Sequence, residues 1–536
     1  MVGGLVLACW LNVSLALGQV QVDRFFPPAV GVGQSVVIQA EGKFPSWPIE
    51  VVVDRSDVSI KAEKDSGKLK VEVAQGVAPG IAWVRVLDST SASGLVPLLI
   101  EPTAPIEEVE PNQTLDEATL LEMPCSLVGR LSKSGEVDTF RIPAKPGRTL
   151  VVSMIGNQVL RSPMDAVLQL VDESGHVLRQ ADDQRGLDPQ LVYQVVEDGD
   201  LFVRLFAFPE TPNSTIGFAG AATFVYELRV TTDAFVDHVL PLTGQTQLYV
   251  GKSVGGWNLP ADVQIKQGQG DHGYGRSVFL PTSLGWQWQS GNEGNANHHL
   301  ESTEAVEIEQ LPCLFSGRIE KAGEVDRMRI AVTQGEKYRA KVHARRSGML
   351  LDSVLRVIDF TDGTELATND DQTRGKYDAQ VDFTAKKTGM LEVQISDLVG
   401  GYGMRHAYTV EVHSLQPSFG ITVAADHFAV PGGGSVEIPV AISRSAGDAS
   451  RLRISLAGLP PGVACEPVVS EPKGDSAKAV KLQMTASDGI THQGKFQVVA
   501  VALGEDDQPS GEPIRARYDL AGICEVDDLW LTVHPK

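Results

Sequence analysis

Two short strings of the sequence have the spacing of known catalytic or cofactor-binding motifs. Gly251-Lys-Ser253-Val-Gly255 matches a nucleophile elbow, in which a serine on a strand-to-helix turn attacks a carbonyl group. Gly268-Gln-Gly-Asp-His-Gly273 matches a dinucleotide fingerprint, which needs a helix N-terminus to hold a pyrophosphate. The residues after both strings are typical of loops and strands, so we predict no enzyme activity. The alternative is a hydrolase with an unrecognised site in residues 240–300 and Ser253 as its nucleophile.

Two pairs of adjacent aspartates could act as paired catalytic carboxylates, each with a further aspartate earlier in the chain. The first group is Asp165 with Asp182 and Asp183, and the second is Asp352 with Asp370 and Asp371. Both groups occur at equivalent places in a repeat, which favours turns where aspartate bonds its own backbone. We therefore predict a structural role for them.

A group of histidines and three tryptophans lie in the middle of the chain. His298 and His299, with Glu301 and His272 nearby, could gather a metal, but no His-Glu-x-x-His run or helical spacing accompanies them. We predict a solvated loop there.

Exposed tryptophans could stack on a sugar or a peptide, whereas burial is the usual fate of so large an apolar surface. The residues concerned are Trp257, Trp286 and Trp288.

The net charge of the chain limits the classes of partner that it can bind. Its 68 acidic and 46 basic residues give a formal net charge of -22. Such a field repels phosphate backbones and anionic lipid surfaces and attracts cations. Nucleic acid is therefore excluded as a predicted partner.

The first residues predict export. Residues 1–18 are largely apolar and end Ala16-Leu17-Gly18, which suits signal-peptidase cleavage before Gln19, although basic residues are missing at the start. The alternatives are a buried N-terminal strand and a lipid-modified Cys9. No later run of about 18 apolar residues occurs, so we predict no membrane-spanning segment in the mature chain.

The cysteines are too few for a disulfide-built scaffold. Beyond Cys9 there are four, and no Cys-x-x-Cys pair exists, which excludes a structural zinc site of that type. Cys465 and Cys524 could pair in an oxidising compartment. Cys125 and Cys313 occupy equivalent places in a repeat and are expected to pack as small apolar side chains.

One segment of the chain occurs twice. Residues 124–138 match residues 312–326 almost position by position, and Asp165–Asp172 and Tyr226–Val230 have counterparts in 352–359 and 408–412. Short runs of β-branched residues bounded by Gly, Asp, Asn and Pro fill both copies and their flanks. This pattern predicts an all-β chain of tandem β-sandwich domains, of jelly-roll and immunoglobulin-like types.

The Gly, Asp, Asn and Pro residues that separate the predicted strands also predict the boundaries of the domains. After the signal peptide (1–18), we predict an immunoglobulin-like first module (19–101) and the first copy (102–232). A degenerate β segment (233–299), here the middle segment, precedes the second copy (300–414). An immunoglobulin-like C-terminal module (415–536) completes the chain.

The repeated segment resembles the bacterial pre-peptidase C-terminal domain family. The resemblance is carried by Glu108-Val-Glu-Pro-Asn112, Gly129, Gly135-Glu-Val-Asp138, Gly147, Asp165, Asp182-Asp183 and Tyr226. The second copy is similar but lacks the Glu-x-Glu-Pro-Asn opening, and the first module resembles TIG modules. The resemblance implies jelly-roll sandwiches that accompany secreted peptidases or surface proteins as accessory or binding domains.

The resemblance also implies a calcium site in the first copy. Members similar to collagenase binding domains hold calcium with the entering linker and the next turn, which here gives Glu108, Glu110, Asn112 and Asp138. Calcium accepts such a set because it takes about six to eight oxygen ligands in irregular geometry. The alternative is a solvated acidic linker beside a turn in which Asp138 bonds its own backbone.

Departures from the family pattern limit this site. Gln113 and Gly135 stand where acidic residues are commoner, although Glu136 follows Gly135. In the second copy only Asp326 and Glu324 remain of the acidic set, so no calcium is predicted there.

Together these features predict an exported, non-catalytic binding or structural protein of the cell surface or periplasm. Its expected partners are proteins or polysaccharides of the cell surface or extracellular matrix, with calcium as the one expected cofactor. Two alternatives stay open, an accessory subunit of a secreted peptidase or hydrolase and an architectural spacer of the cell envelope.

Overall fold

The computed structural model describes residues 19–211, 217–243, 253–269, 274–281, 283–290, 296–520 and 522–536. The predicted signal peptide with Cys9, His272, and parts of both motif-like strings lie outside these residues. The described chain is a series of β-sandwiches, which confirms the predicted all-β fold class. Among the described residues, no helix is both long and apolar enough to cross a bilayer.

The first module is built from two four-stranded sheets. Alternation produces the strands: in Lys68–Val73, the buried Leu69, Val71 and Val73 alternate with exposed polar residues. The sheets have the orders β1-β3-β6-β5 and β2-β8-β7-β4. The strands are β1 (Gln21–Phe26), β2 (Ala29–Gly31), β3 (Ser35–Lys43), β4 (Glu50–Val53), β5 (Val58–Ala62), β6 (Lys68–Val73), β7 (Gly80–Leu87) and β8 (Val96–Glu101).

The first copy is a sandwich of two five-stranded sheets around one apolar core. The strands are β9 (Ile106–Glu107), β10 (Thr119–Leu120), β11 (Cys125–Arg130), β12 (Asp138–Ala144), β13 (Thr149–Ile155), β14 (Met164–Val171), β15 (Val177–Ala181), β16 (Gln190–Gln194), β17 (Gly199–Pro209) and β18 (Val225–Thr231). Their orders are β10-β12-β17-β14-β15 and β16-β13-β18-β11-β9.

The middle segment forms two small sheets, β19-β20 and β21-β22-β23. Its strands are β19 (Phe235–Val239), β20 (Val254–Trp257), β21 (Lys266–Gln269), β22 (Gly275–Phe279) and β23 (Trp286–Ser290).

The second copy repeats the topology of the first strand for strand. Its sheets run β25-β27-β32-β29-β30 and β24-β26-β33-β28-β31. The strands are β24 (Asn297–Leu300), β25 (Val306–Ile308), β26 (Cys313–Arg318), β27 (Asp326–Val332), β28 (Lys337–His343), β29 (Ser353–Asp359), β30 (Glu365–Asn369), β31 (Gln380–Thr384), β32 (Gly389–Asp397) and β33 (Ala407–Ser414), with a 3-10 helix at Arg345–Ser347. Because β24 pairs with β26, the predicted boundary at 299/300 falls inside a strand of this copy.

The C-terminal module packs a four-stranded sheet, β34-β36-β40-β38, against the larger sheet β35-β45-β41-β37-β39. The strands are β34 (Ser418–Val423), β35 (His427–Pro431), β36 (Ser435–Ser445), β37 (Arg451–Ala457), β38 (Val463–Cys465), β39 (Val468–Ser470), β40 (Ala479–Ala486), β41 (His492–Leu503), β42 (Pro509–Arg515), β43 (Tyr518–Leu520), β44 (Cys524–Val526) and β45 (Leu529–His534), with a 3-10 helix at Asp475–Ala477.

One apolar cluster, here the shared cluster, takes buried residues from four of the five units. Its members are Ala29, Ile81, Trp83, Leu95 and Leu99 of the first module, Val128, Leu160 and Val225 of the first copy, Tyr274 and Trp286 of the middle segment, and Leu520, Cys524 and Val526 of the C-terminal module. Burial of this apolar surface favours the packed arrangement over separated modules.

Buried ion pairs surround the shared cluster. Arg229 of the first copy lies 2.6 Å from Glu101 of the first module, and its guanidinium stacks 4.4 Å from the ring centre of Trp286. The Trp286 indole N–H donates to the same carboxylate at 3.1 Å. Arg85 of the first module and Asp426 of the C-terminal module form a second buried pair at 2.8 Å.

A third buried ionic group connects the second copy to the middle segment and to the first copy. Asp237 of the middle segment lies 3.4 Å from Arg405 of the second copy and 3.6 Å from Arg185 of the first. Burial opposes ionisation of Asp237, but Arg405 and Arg185 together hold its pKa below the usual range. These buried ion pairs therefore join the modules to one another.

Replacing Arg229 tests this junction. Arg229→Met leaves Glu101 and Glu227, both fully buried, without their cation. We expect a loss of about 3–5 kcal/mol in the first unfolding transition, since an uncompensated buried charge is costly. Denaturant titration monitored by tryptophan fluorescence measures the loss. The control is Arg356→Met, which breaks the exposed pair with Glu365 and should cost at most about 1 kcal/mol. Equal losses in the two variants would contradict the structural role of the junction.

Candidate metal centre and the other candidate sites

Three strands bring the predicted calcium ligands together at the start of the first copy. Glu108 follows β9, and its backbone N–H donates to the Val128 carbonyl of β11 at 3.0 Å. Asp138 is the first residue of β12, in the opposite sheet. Tyr226 lies on β18 beside β11 and is fully buried. Its ring therefore crosses the core and places its hydroxyl between the two sheets.

The tyrosine hydroxyl is the centre of the arrangement. It lies 2.6 Å from Glu108 Oε2 and 2.6 Å from Asp138 Oδ2, and its single proton serves one carboxyl at a time. The other oxygen of Glu108 accepts the Arg130 backbone N–H at 2.5 Å. Glu108, Glu110 and Asp138 each offer a carboxylate oxygen within 4.8 Å of the others.

Asn112 completes the group. It is fully buried, and neither its amide oxygen nor its amide nitrogen has a hydrogen-bond partner. Its backbone carbonyl accepts the Thr139 N–H at 2.8 Å, which places it beside Asp138. Its own N–H donates to Glu110 Oε2 at 3.3 Å. The structure thus clusters the carboxylates of three of the four residues that the resemblance implied, and the backbone of the fourth, Asn112, lies next to them.

Buried oxygens without partners are the clearest sign of a ligand here. Asp138 Oδ1, like the Asn112 carboxamide, is buried and has no hydrogen-bond partner. Buried polar atoms are nearly always satisfied, so unpaired oxygens from two neighbouring side chains indicate a missing cation or water. Carboxylate and amide oxygens are the ligands that Ca²⁺ prefers. The residues present therefore fit calcium.

The electrostatics of the group agree with that fit. Burial and the neighbouring Glu108 raise the pKa of Asp138 to about 9, and burial also raises the pKa of Glu108. Without a cation, two carboxyls this close, one of them fully buried, are not both expected to be ionised at neutral pH. The site must hold either a proton or a cation.

The structure rules out one of the two alternatives for Asp138. Asp138 is not in a solvated turn bonded to its own backbone, because it is buried in β12 and accepts from Tyr226. Glu136, which follows Gly135, instead has its Oε2 accepting the Lys133 backbone N–H at 3.0 Å. Tyr226 was part of the family resemblance, but its role between the carboxyls was not predicted. Its recurrence as Tyr408 is the sequence signal that could have revealed it.

The second copy keeps the central part of this arrangement. Tyr408 donates to Asp326 Oδ2 at 2.7 Å, and the Arg318 backbone N–H donates to Glu301 Oε2 at 2.9 Å. Glu301, placed by sequence among the histidines, therefore occupies the position of Glu108. Glu324, the other acidic residue that the second copy retains, caps a turn, because its Oε2 accepts the N–H groups of residues 320 and 321.

The length of the entering segment explains the missing ligands of the second copy. In the first copy, the segment from Glu108 to Thr119 of β10 carries Glu110 and Asn112. In the second copy, the corresponding segment from Glu301 to Val306 of β25 is shorter. Among the described residues, no third acidic or histidine ligand joins Glu301 and Asp326 as Glu110 joins Glu108 and Asp138.

The enzyme-like strings do not form the structures that their motifs need. Ser253 is fully buried, and the strand β20 follows it in place of a helix. Gly268 lies within β21. Residues 251, 252 and 270–273 are outside the described residues. A buried serine followed by a strand cannot serve as an exposed nucleophile.

The histidine pair lies in a strand, so the prediction of a solvated loop is wrong. His298 and His299 belong to β24, and His298 Nε2 lies 3.0 Å from the Ser316 hydroxyl. Burial and the neighbouring His299 lower the pKa of His298 to about 4. Both rings are half-buried.

The aspartate pairs form turns, as predicted. Asp182 Oδ1 accepts the Asp183 N–H, and Asp370 Oδ1 accepts the Asp371 N–H, each at 2.9 Å. None of the three tryptophans is exposed. Trp286 is buried in the shared cluster, whereas Trp257 and Trp288 are half-buried.

The four described cysteines are free thiols. Cys524 belongs to the shared cluster, whereas Cys465 packs against the core of the C-terminal module, so the two do not pair. Burial raises the pKa values of Cys524 and Cys313 to about 12 and that of Cys125 to about 11. The packing of Cys125 and Cys313 as apolar side chains is confirmed.

Comparisons with known proteins identify no relative by sequence. No protein-family model matches the chain, and no curated protein matches it. Matching solved structures include fibronectin(III)-like modules of Clostridium thermocellum CbhA, at 11% identity with a TM-score of 0.14, covering 44% of this chain and 93% of that one.

Two further solved structures match over more of the chain. One contains the M60 catalytic domain with the CBM51-1 and CBM51-2 domains of Clostridium perfringens ZmpB (8% identity, TM-score 0.15, 71% of this chain and 46% of that one). The other contains the N-terminal eight Ig domains of Down Syndrome Cell Adhesion Molecule (10% identity, TM-score 0.13, 93% and 48%). This chain thus spans about half of each. TM-scores this low carry no argument about function, and the sheets themselves establish the fold.

Substitution of the glycine beside Tyr226 tests the arrangement of the tyrosine and the carboxyl groups. A Cβ on Gly129 would lie 2.4 Å from the Tyr226 hydroxyl and 2.5 Å from Glu108 Oε2. Gly129→Ala should therefore separate these groups and lower the free energy of unfolding by about 1–3 kcal/mol. Thermal unfolding measures the loss. Gly217→Ala is the control, because its Cβ would meet nothing within 4 Å. Similar melting temperatures for Gly129→Ala and wild type would mean that the tyrosine–carboxyl contact adds nothing to stability.

Proposed function

We propose that this chain is an exported, non-catalytic binding or structural protein of the cell surface or periplasm. Its modules act as one body that presents loops to a protein or polysaccharide partner. The observation that carries the proposal is the shared cluster, in which four units bury one apolar core together. Independent modules that were joined only by linkers would not need to bury a common apolar core.

The proposal includes the family suggested by the sequence. We infer that the two copies are members of the pre-peptidase C-terminal family, and the proximity of four of the residues that carry the resemblance supports this. Glu108, Asp138 and Tyr226 meet at one point, and Gly129 leaves room for them. The second copy has the same strand order.

Calcium in the first copy supports a mechanical role. Glu108 stands only a few residues after β8, the strand of the first module that carries Glu101. Coordination by Glu108, Glu110 and Asn112 would fix the linker onto β12 through Asp138. A cation there stiffens the connection between the first module and the first copy.

Calcium binding can be tested with a ligand that is not part of the core. Glu110 is exposed and makes one weak hydrogen bond. We expect calcium to raise the melting temperature of the wild type, because a ligand at about 100 times its Kd stabilises the folded state by about 2.7 kcal/mol. Glu110→Gln should abolish most of that rise, and Glu304→Gln, an exposed residue of the second copy, should keep it. No calcium response in the wild type would refute the site.

Calcium binding should also release a proton. Asp138, with its pKa raised to about 9, carries a proton at pH 7 in the absence of a cation. Binding must displace about one proton, since calcium takes the ionised carboxylate. Calorimetry in buffers of different ionisation enthalpy counts the protons. We expect the calcium affinity to rise with pH up to about 9, and a pH-independent affinity would show that Asp138 is not a ligand.

The binding role and its rivals are separated by two measurements on the full chain. Saturable retardation in native gels containing a defined soluble polysaccharide, or saturable binding of a purified surface protein, supports a binding role. An architectural spacer would show neither. Reproducible hydrolysis of peptidase or glycosidase substrates, lost in Ser253→Ala, would replace the proposal with a hydrolase.

A further inference from the structure

The second copy contains a half-buried pair of carboxyl groups with no candidate cation site beside it among the described residues. Glu301 and Asp326 lie within hydrogen-bond distance of each other. The glycine opposite them is Gly317, where a Cβ would lie 2.3 Å from Glu301 Oε2. Among the described residues, three clustered ligands occur in the first copy alone.

The hydrogen bonds around the pair leave one contact without a donor. The Tyr408 hydroxyl donates its proton to Asp326, and the Arg318 backbone N–H donates to Glu301. Ionised carboxylates only accept hydrogen bonds. The contact between Glu301 and Asp326 therefore needs a proton on one of the two.

The charged surroundings disfavour a second negative charge. The groups that face the pair come from three strands and one turn, and the nearby side chains that influence it are acidic or phenolic. They are Asp326 on β27, Tyr408 on β33, the backbone N–H of Arg318 on β26, and Glu320 and Glu324 in the turn between β26 and β27.

We propose that Glu301 and Asp326 share one proton at neutral pH, so that the second copy is a proton site at the position where the first copy offers cation ligands. This inference does not depend on calcium binding in the first copy. Burial, with the neighbouring Asp326 and Glu320, raises the pKa of Glu301 to about 8. In an unfolded chain, a glutamate titrates near about 4.3.

The direction of the pH dependence follows from this difference. The folded state holds the proton more tightly than the unfolded state, so the proton stabilises the second copy fully below about pH 4.3. The stabilisation declines as pH rises and is lost once pH passes about 8. The second copy is thus a module that loosens as the medium becomes alkaline.

Glu301→Gln tests the proton directly, because its amide is a permanent neutral donor to Asp326. Hydrogen exchange of β26 and β33 is compared between wild type and variant at a series of pH values, with a calcium chelator present. The local opening constant of the wild type relative to the variant should increase by up to about tenfold per pH unit, or about 100-fold from pH 5.5 to 7.5. Glu304→Gln should follow the wild type at every pH. A ratio that does not change with pH overturns the proposal.

A second measurement keeps the test valid if Glu301→Gln folds poorly. Infrared difference spectra of the wild type, recorded across the titration, should show a protonated carboxyl band that disappears near pH 8. Asp326→Asn should remove or shift this band, while the band from Asp138 in the first copy remains. A wild-type band unaffected by Asp326→Asn would mean that the pair is ionised. Because the chelator is present throughout, neither result depends on the calcium proposal.

Discussion

In each copy of the repeat, one buried tyrosine hydroxyl lies against two carboxyl groups from opposite sheets. The hydroxyl of Tyr226 contacts the residue that follows the entering strand and the residue that begins β12. This contact fixes where the chain enters the sandwich, because the entering strand has little apolar surface of its own to bury. The glycine opposite, Gly129, is required because any side chain there would occupy the position of the hydroxyl.

The strand that carries this tyrosine also joins the modules. Along β18, Tyr226 and Leu228 face the core of the first copy, while Glu227 and Arg229 point to the other face, as strand alternation requires. That other face is covered by Glu101 and Trp286 of two different units, so every residue of β18 is buried. The site and the junction between modules are therefore two faces of one strand.

The sequence predicted what depends on local pattern and on the duplication. Alternation and turn residues predicted the strands, and the repeat predicted the shared turns at Asp182 and Asp370. The resemblance implied the acidic group of Glu108, Glu110 and Asp138. The surroundings of Arg229 could not be predicted, because an alternating charged residue normally marks a solvated face. Glu301 was missed for a related reason, since only strand pairing of β24 with β26 aligns it with Glu108.

The difference between the copies lies in one segment and follows from chain length. The first copy has enough chain between Glu108 and β10 to bring Glu110 and Asn112 back over the carboxyl pair, and the second has too little between Glu301 and β25. Both copies nevertheless bring two acids together at the same point away from bulk water, and two like charges this close need compensation. The tyrosine hydroxyl supplies one hydrogen bond but no charge. We infer that the longer segment allows a metal ion to supply the compensating charge in the first copy, whereas a proton supplies it in the second copy, which lacks those ligands.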